Sequence, residues 1–233
     1  MSIILAIETS SEMASCALLS GATLLSREAS GVRTHSQSIL PLVQELLAEA
    51  GIALAQCDAI AFGAGPGSFT GVRTACGIAQ GLAWGAGLPV VAVVTLDAMA
   101  LACARQSGAI DVLAVLDARM GEVYWAQYSG GQRVAGPALC APGQVVPLPA
   151  QGPLTACGNG LSAYPDALAG AAFAQGALSA IMPHAREIAP LAAAALAAGA
   201  AMPAAQAQPL YLRNKIAYTS AERQLINAAK AAA

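Results

Sequence analysis

The sequence is poor in charge, in aromatic rings and in histidine. Charged residues make up 10% of its 233 positions and aromatic residues 4%, and there are only two histidines. Eleven Lys and Arg stand against thirteen Asp and Glu, a formal charge of −2. A chain that grips nucleic acid unaided needs a cationic surface to displace counterions, and this one lacks it. A subunit whose partner supplies that surface is still allowed. The six cysteines never fall in a Cys-x-x-Cys pair, so neither zinc ligation nor a disulfide framework is indicated. Most of them sit in apolar surroundings, where a thiol behaves as a small hydrophobe. No cationic stretch precedes the first apolar run, which Glu8 ends early. A secretory leader is therefore not expected, and the cytoplasm is the expected compartment.

What is abundant is small and apolar. Hydrophobic residues reach 57%, which excludes disorder over the whole chain. About a quarter of all residues are alanine, against three Phe, five Tyr and two Trp. Close packing of small side chains must therefore replace large anchors. A chain of this length buries roughly 70–75% of its unfolded surface, enough for one large core or two lobes. Residues 74–96 carry no charge and are long enough to cross a bilayer. Their glycines, Gln80 and Pro89 argue instead for a helix that stops near Gly85-Ala86-Gly87, a turn at Leu88-Pro89 and a buried strand at 90–94. No membrane segment is expected.

Periodicity orders the rest. Residues 3–7 form a continuous apolar run suited to a central strand, and 15–19 with 23–29 read as a hairpin across Ser20-Gly21-Ala22. Ser36 or Ser38 can cap a helix over 37–50, with Ile39, Leu42, Val43, Leu46 and Leu47 on one stripe. A strand at 57–62, a Gly-rich loop at 63–71, a small-residue helix to Gly85, the strand at 90–94 and a helix at 97–105 follow. The pattern then begins again. Strands are expected at 110–116, 122–128 and 132–140, with Gly130-Gly131 as a tight turn. Five prolines mark 137–153 as irregular loop. A strand at 154–157, a helix after Gly160 and another at 185–198 lead to a linker at 203–208 and a short return strand at 209–213. The fold class is thus α/β, two similar lobes with mixed sheets flanked by helices. The expected domains are 1–107 and 108–208, with 209–233 free to return to the first. Between such lobes lies a cleft, where ligands usually bind. From Pro209 onward, Arg213, Lys215, Arg223 and Lys230 oppose only Glu222. That tail is either a solvated helix or frayed end, or a partner-binding segment.

Few residues are placed for chemistry. The run Gly63-Ala64-Gly65-Pro66-Gly67-Ser68-Phe69-Thr70-Gly71-Val72-Arg73 joins a strand to a helix, so its N–H groups could face an anion, with Ser68 or Thr70 as the alternative helix cap. It has neither the Lys-Ser/Thr of a phosphate loop nor the third glycine of a dinucleotide fingerprint. The competing reading is a crossover packed tightly on a neighbour. Glu8-Thr9-Ser10-Ser11 ends the first strand, where actin-like kinases hold Mg-phosphate with Asp and a later Gly; Glu8 and Ser10 replace those two here. Asp117-Ala118-Arg119 occupies the matching strand end of the second unit, either accepting from a water or metal or pairing internally across a turn. The candidate nucleotide or anion site is therefore Glu8, Thr9, Ser10, Gly65, Gly67, Ser68, Thr70, Arg73, Asp117 and Arg119. His35 has no second histidine three or four residues along, and His184 is distant, so no metal centre is expected. No activated thiol or serine elbow marks a hydrolase.

Five segments together resemble the bacterial TsaB (YeaZ) family: Ala6-Ile7-Glu8-Thr9-Ser10, Thr34-His35-Ser36-Gln37 before Leu40-Pro41, Gly65 through Arg73, Asp117-Ala118-Arg119-Met120-Gly121-Glu122-Val123-Tyr124, and Pro209-Leu210-Tyr211-Leu212-Arg213. They occur in family order and span nearly the whole chain. The resemblance implies an actin-like/RNase H-like (ASKHA) fold related to sugar kinases and Hsp70-type ATPases. It also implies a role in placing threonylcarbamoyl on the adenosine beside the tRNA anticodon. In that family TsaB is the non-catalytic partner of TsaD, which holds the metal, and the ATPase TsaE joins them; tRNA is met through the complex. TsaD-type proteins carry two histidines four apart on the first helix, whereas His35 here is followed by Ile39. The expectation is a scaffold subunit with no cofactor or catalytic residue of its own, forming a heterodimer; homodimer and monomer are both open for the chain alone. Its partner surface is expected on the first-lobe helices, through Ile39, Leu42, Val43, Leu46, Ala75, Ala79 and Leu82; the competing reading is that this stripe faces its own sheet. Rival functions are an active sugar- or acetate-kinase-like phosphotransferase with Glu8 and Asp117 on Mg-ATP, a peptidase, and a self-associating binding module.

Overall fold

The first apolar run becomes a central strand because both of its faces find cover. The computed structural model describes residues 2–29 and 35–213. Strand β1 (Ile3–Glu8) pairs antiparallel with β2 (Ala14–Ser20), which pairs antiparallel with β3 (Thr23–Ala29). Helix α1 (His35–Ala50) follows, then β4 (Ala59–Gly65), α2 (Phe69–Ala86), β5 (Val90–Val94) and α3 (Thr95–Ser107). β4 lies parallel to β1 and β5 parallel to β4, giving the order β3-β2-β1-β4-β5. The second unit repeats this plan. β6 (Asp111–Arg119), β7 (Glu122–Ser129) and β8 (Gln132–Cys140) form an antiparallel meander, and β9 (Leu154–Cys157) lies parallel to β6. Its order is β8-β7-β6-β9. Two short helices, α4 (Gly160–Ala163) and α5 (Pro165–Leu168), precede α6 (Ala185–Ala197). Two sheets with the same first four positions, each flanked by helices, make an actin-like/RNase H-like α/β fold.

The strand period of two splits the cores. Leu5, Ile7, Ile60 and Phe62 point toward α1 and α2, while Ile4, Ala6, Ala59 and Ala61 point toward α6. Against that second face α6 presents Ala185, Ile188, Ala189 and Ala192, a seam built largely of alanine methyls. The helices do not stay with the sheets their sequence positions suggest. Leu96, Met99 and Cys103 of α3, from the expected first domain, fill the core over β6 and β7. α6, from the expected second, packs on the first sheet. α3 and α6 also touch each other and so join the lobes at the back. α6 is docked at its start: the Ala185 N–H donates to Ser15 Oγ at 3.0 Å, and His184 Nδ1 accepts from the Arg186 N–H at 3.0 Å. His184 Nε2 faces Glu28 Oε2 at 3.1 Å.

Several boundaries move for local reasons. α1 begins at His35, two residues early. β4 continues through Gly65 and α2 begins at Phe69, so the expected loop shrinks to Pro66-Gly67-Ser68. α2 ends at Ala86 with Gly87 in the left-handed region (φ 68°) as its cap, and no described helix is long and apolar enough to cross a membrane. β8 runs through Pro137, which an edge strand tolerates. The single helix expected after Gly160 is split by Tyr164-Pro165. Residues 209–213 form no strand; one backbone bond, Leu210 N–H to the Ala64 carbonyl at 2.7 Å, ties them to β4. Lys215, Glu222, Arg223 and Lys230 lie outside the described residues.

Ser15 is buried, so Ser15→Ala leaves the Ala185 N–H without its acceptor. The expected loss is about 1–3 kcal/mol, read from the midpoint of urea unfolding.

Candidate functional site

The carboxyl ends of β1 and β6 face one cleft, the place where the two units would share a ligand. On the first-lobe side the chain has filled the corner with itself. The Ser68 N–H donates to the Ser10 carbonyl at 2.7 Å, and Thr9 Oγ1 donates to the Gly71 carbonyl at 2.7 Å. Ser68 Oγ caps α2 by accepting from the Gly71 N–H at 3.4 Å. Three glycines allow this approach. A Cβ on Gly63 would stand 1.7 Å from Glu8 Oε2, one on Gly67 2.6 Å from Ser10 Cβ, and one on Gly71 1.9 Å from the Thr9 carbonyl oxygen. The glycines therefore serve a tight crossover. The N–H of Ser68, which an anion would need at a helix start, is spent on Ser10.

Glu8 sits fully buried inside this contact. Its Oε1 accepts from the Ser10 N–H and its Oε2 has no hydrogen-bond partner. Burial pushes its carboxyl up to about 7, against the partial relief of hydrogen bonds from Ser10 and Thr9. An acid this enclosed presents no open oxygen to a magnesium ion. Across the cleft, Asp117 is equally occupied. Its Oδ1 accepts from the Arg119 N–H at 2.8 Å and the Tyr164 hydroxyl at 2.9 Å, and its Oδ2 lies 3.3 Å from the Arg119 guanidinium. Burial, helped by the hydrogen bond to Asp117 and its charge, raises the Tyr164 hydroxyl above its ordinary value. Asn159 Oδ1 accepts from the Asp117 N–H at 2.9 Å, and Arg119 reaches Glu12 Oε1 at 2.8 Å on the other lobe.

The ten candidate residues therefore do not form one site. Ser10, Gly67, Ser68, Asp117 and Arg119 line a cleft cavity of about 470 Å³ together with His35, Tyr124 and Arg213. Glu8, Thr9 and Gly65 are buried behind it. Gly65 (φ 109°) packs on the Leu210 carbonyl. The Thr70 carbonyl accepts from Thr74 Oγ1 at 3.0 Å, inside α2. Arg73 turns outward, its guanidinium 3.6 Å over the Phe69 ring and its Nε donating to the Tyr211 hydroxyl at 2.7 Å. His35 Nε2 lies 3.3 Å from the Glu12 carbonyl, and among the described residues no group of three His, Cys, Asp or Glu is placed to hold a metal. Tyr164, Asn159 and Glu12 are not among the candidates read from the sequence, and Tyr211 appears there only within the 209–213 segment; Met120-Gly121 is a two-residue turn between β6 and β7, whose hairpin carries Arg119.

The expected partner stripe also needs correcting. Ile39, Val43, Leu46, Ala75 and Ala79 are buried in the first core, and Leu42 and Leu82 pack against it. The stripe faces its own sheet because that is where the apolar area is. The outer side of the same helices carries Leu40 at 44% and Trp84 at 77% exposure. Near Trp84, Gly77, Gly81 and Gly85 leave open space where a Cβ would stand.

These features define a two-lobed, actin-like protein in which the first-lobe corner of the cleft is closed by the chain's own backbone. Comparison narrows the class. A family model described as "TsaD: tRNA N6-adenosine threonylcarbamoyltransferase" matches residues 25–232. The Escherichia coli tRNA threonylcarbamoyladenosine biosynthesis protein TsaB is 41% identical over 92% of this chain and 96% of its own. The Haemophilus influenzae TsaB is 51% identical over about half of each, 53% and 52%. A solved structure of YeaZ from Pseudomonas aeruginosa superposes with a TM-score of 0.84 at 41% identity, covering 91% of this chain and 100% of that one. The chain belongs to the TsaB (YeaZ) family.

Two measurements probe the corner. Gly71→Ala is expected to cost about 3 kcal/mol or more, because the new methyl meets backbone, whereas Gly77→Ala, in open space, should stabilise by about 0.5–1 kcal/mol; urea midpoints compare them. Glu8 titrates near 4.5 when unfolded and near 7 when folded, so between those values the native state holds the extra proton. The contribution of Glu8 to stability is then greatest below about 4.5 and falls as pH rises through this window, by about 3 kcal/mol in all. Glu8→Gln should flatten that slope in pH-dependent unfolding curves.

Proposed function

We propose that this chain is a non-catalytic scaffold subunit of the bacterial machinery that forms threonylcarbamoyladenosine in tRNA. It pairs with TsaD, with TsaE as a further member, and meets tRNA through the complex in the cytoplasm. The observation that carries the reading is the closed corner: the backbone of residues 63–71 lies against Glu8, Thr9 and Ser10 where a kinase-like relative would seat phosphate. Asp117, the matching acid, is held by Arg119 and Tyr164. The family membership supplies the pathway.

Pairing is assigned to the outer faces of α1 and α2, around Leu40, Gly77, Gly81 and Trp84, in place of the buried stripe. A stable pair buries on the order of 1,600 Å², and small residues let a facing helix come close. Two copies of this chain can meet through the same face when TsaD is absent.

Reconstitution tests the proposal. tRNA modification by TsaD and TsaE should depend on this chain and be unchanged by Asp117→Asn. Gly81→Arg with Trp84→Glu should weaken binding to TsaD about thirty-fold, measured by calorimetry on folded protein. Tight Mg-ATP binding by the isolated chain, lost in Asp117→Asn, would favour the phosphotransferase and overturn the scaffold reading.

A further inference from the structure

Residues 209–213 cross the mouth of the cleft from the first lobe to the second. On the first lobe the Leu210 N–H donates to the Ala64 carbonyl at 2.7 Å. The Tyr211 hydroxyl accepts from Arg73 Nε at 2.7 Å, and the Tyr211 and Phe69 rings lie 5.9 Å apart. On the second lobe Leu212 packs against the cluster that holds Leu116 and Tyr124. Arg213 then grips the turn between β6 and β7. Its Nη2 donates to the Glu122 carboxylate and to the Arg119 carbonyl at 3.2 Å, and its Nη1 lies 3.4 Å from Met120 Sδ. The Arg213 side chain is only 14% exposed, so its ion pair is better shielded from solvent than the Arg119–Glu12 bridge, which is 70% and 83% exposed.

The gripped turn is itself strained. Arg119 (φ 61°) and Met120 (φ 59°) both lie in the left-handed region that a β-carbon disfavours. Such a conformation persists where surrounding contacts over-determine it, and Arg213 supplies three contacts to this turn. At the back, α3 and α6 already join the lobes. In hinged clefts a ligand that touches both walls draws them together. Here a segment of the chain does so.

We propose that residues 209–213 are an interlobe latch that fixes the opening of the cleft without a ligand, with the Arg213–Glu122 contact as its catch. Tyr211 is its accessible end, 46% exposed, so a molecule seated on the outer face of α2 near Arg73 would touch the latch directly. The proposal stands independently of the pairing with TsaD.

Hydrogen exchange by mass spectrometry on the full chain, with small-angle scattering, tests it. Arg213→Ala should speed exchange at 117–124 by about ten-fold or more, the loss of one hydrogen bond to a charged group. The radius of gyration should rise, while β1 and β4 keep their protection. Glu122→Gln should act in the same direction and more weakly. Unchanged protection at 117–124 in both Arg213→Ala and a chain ending at Pro209, with an unchanged scattering profile in Arg213→Ala, would overturn the latch. So would a uniform rise in exchange that includes β1 and β4, which reports general destabilisation.

Discussion

Gly63, Gly67 and Gly71 bring the end of β4 and the start of α2 against residues 8–10 more closely than any side chain would permit. From that approach follow the burial of Glu8, the use of Ser10's carbonyl by Ser68, and the bond from Thr9 to Gly71. A helix start that faces solvent offers free N–H groups to an anion. Here the Ser68 N–H goes to the Ser10 carbonyl and the Gly71 N–H to Ser68 Oγ. The same glycine-rich pattern can therefore serve opposite ends, depending on whether another part of the chain occupies the space in front of it.

The second constraint is the crossing of α3 and α6. Each lobe's core is completed by a helix from the other half of the sequence: Leu96 and Met99 enter the second core, Ile188 and Ala189 the first. Neither stretch 1–107 nor stretch 108–208 buries its sheet alone. Lobes connected in this way share their stability, and a contact at the cleft mouth is felt on a frame already joined behind it.

Much of this was legible from periodicity. The run at 3–7 is buried on both faces, the hairpin falls where Gly21 places it, and the uncharged stretch 74–96 breaks at Gly87 as its glycines and proline require. What escaped reading was long-range. Apolar spacing in α1 marks a buried face but does not say whether a sheet or a partner covers it, and here the sheet does. The pairing of Asp117 with Arg119 lies within a turn and was one of two open readings; its bonds to Tyr164 and Asn159 bridge 47 and 42 residues. Helix exchange leaves no local mark at all, because α3 and α6 are amphipathic whichever sheet they cover.

The alanine seam between α6 and the first sheet has an entropic consequence. Alanine has no side-chain rotamers to lose, so this layer sets without the side-chain ordering cost that Leu or Met incurs. It buries less apolar area per residue in exchange. α6 can therefore lie close to the sheet, with Ile4 and Ile188 as the larger side chains in the layer.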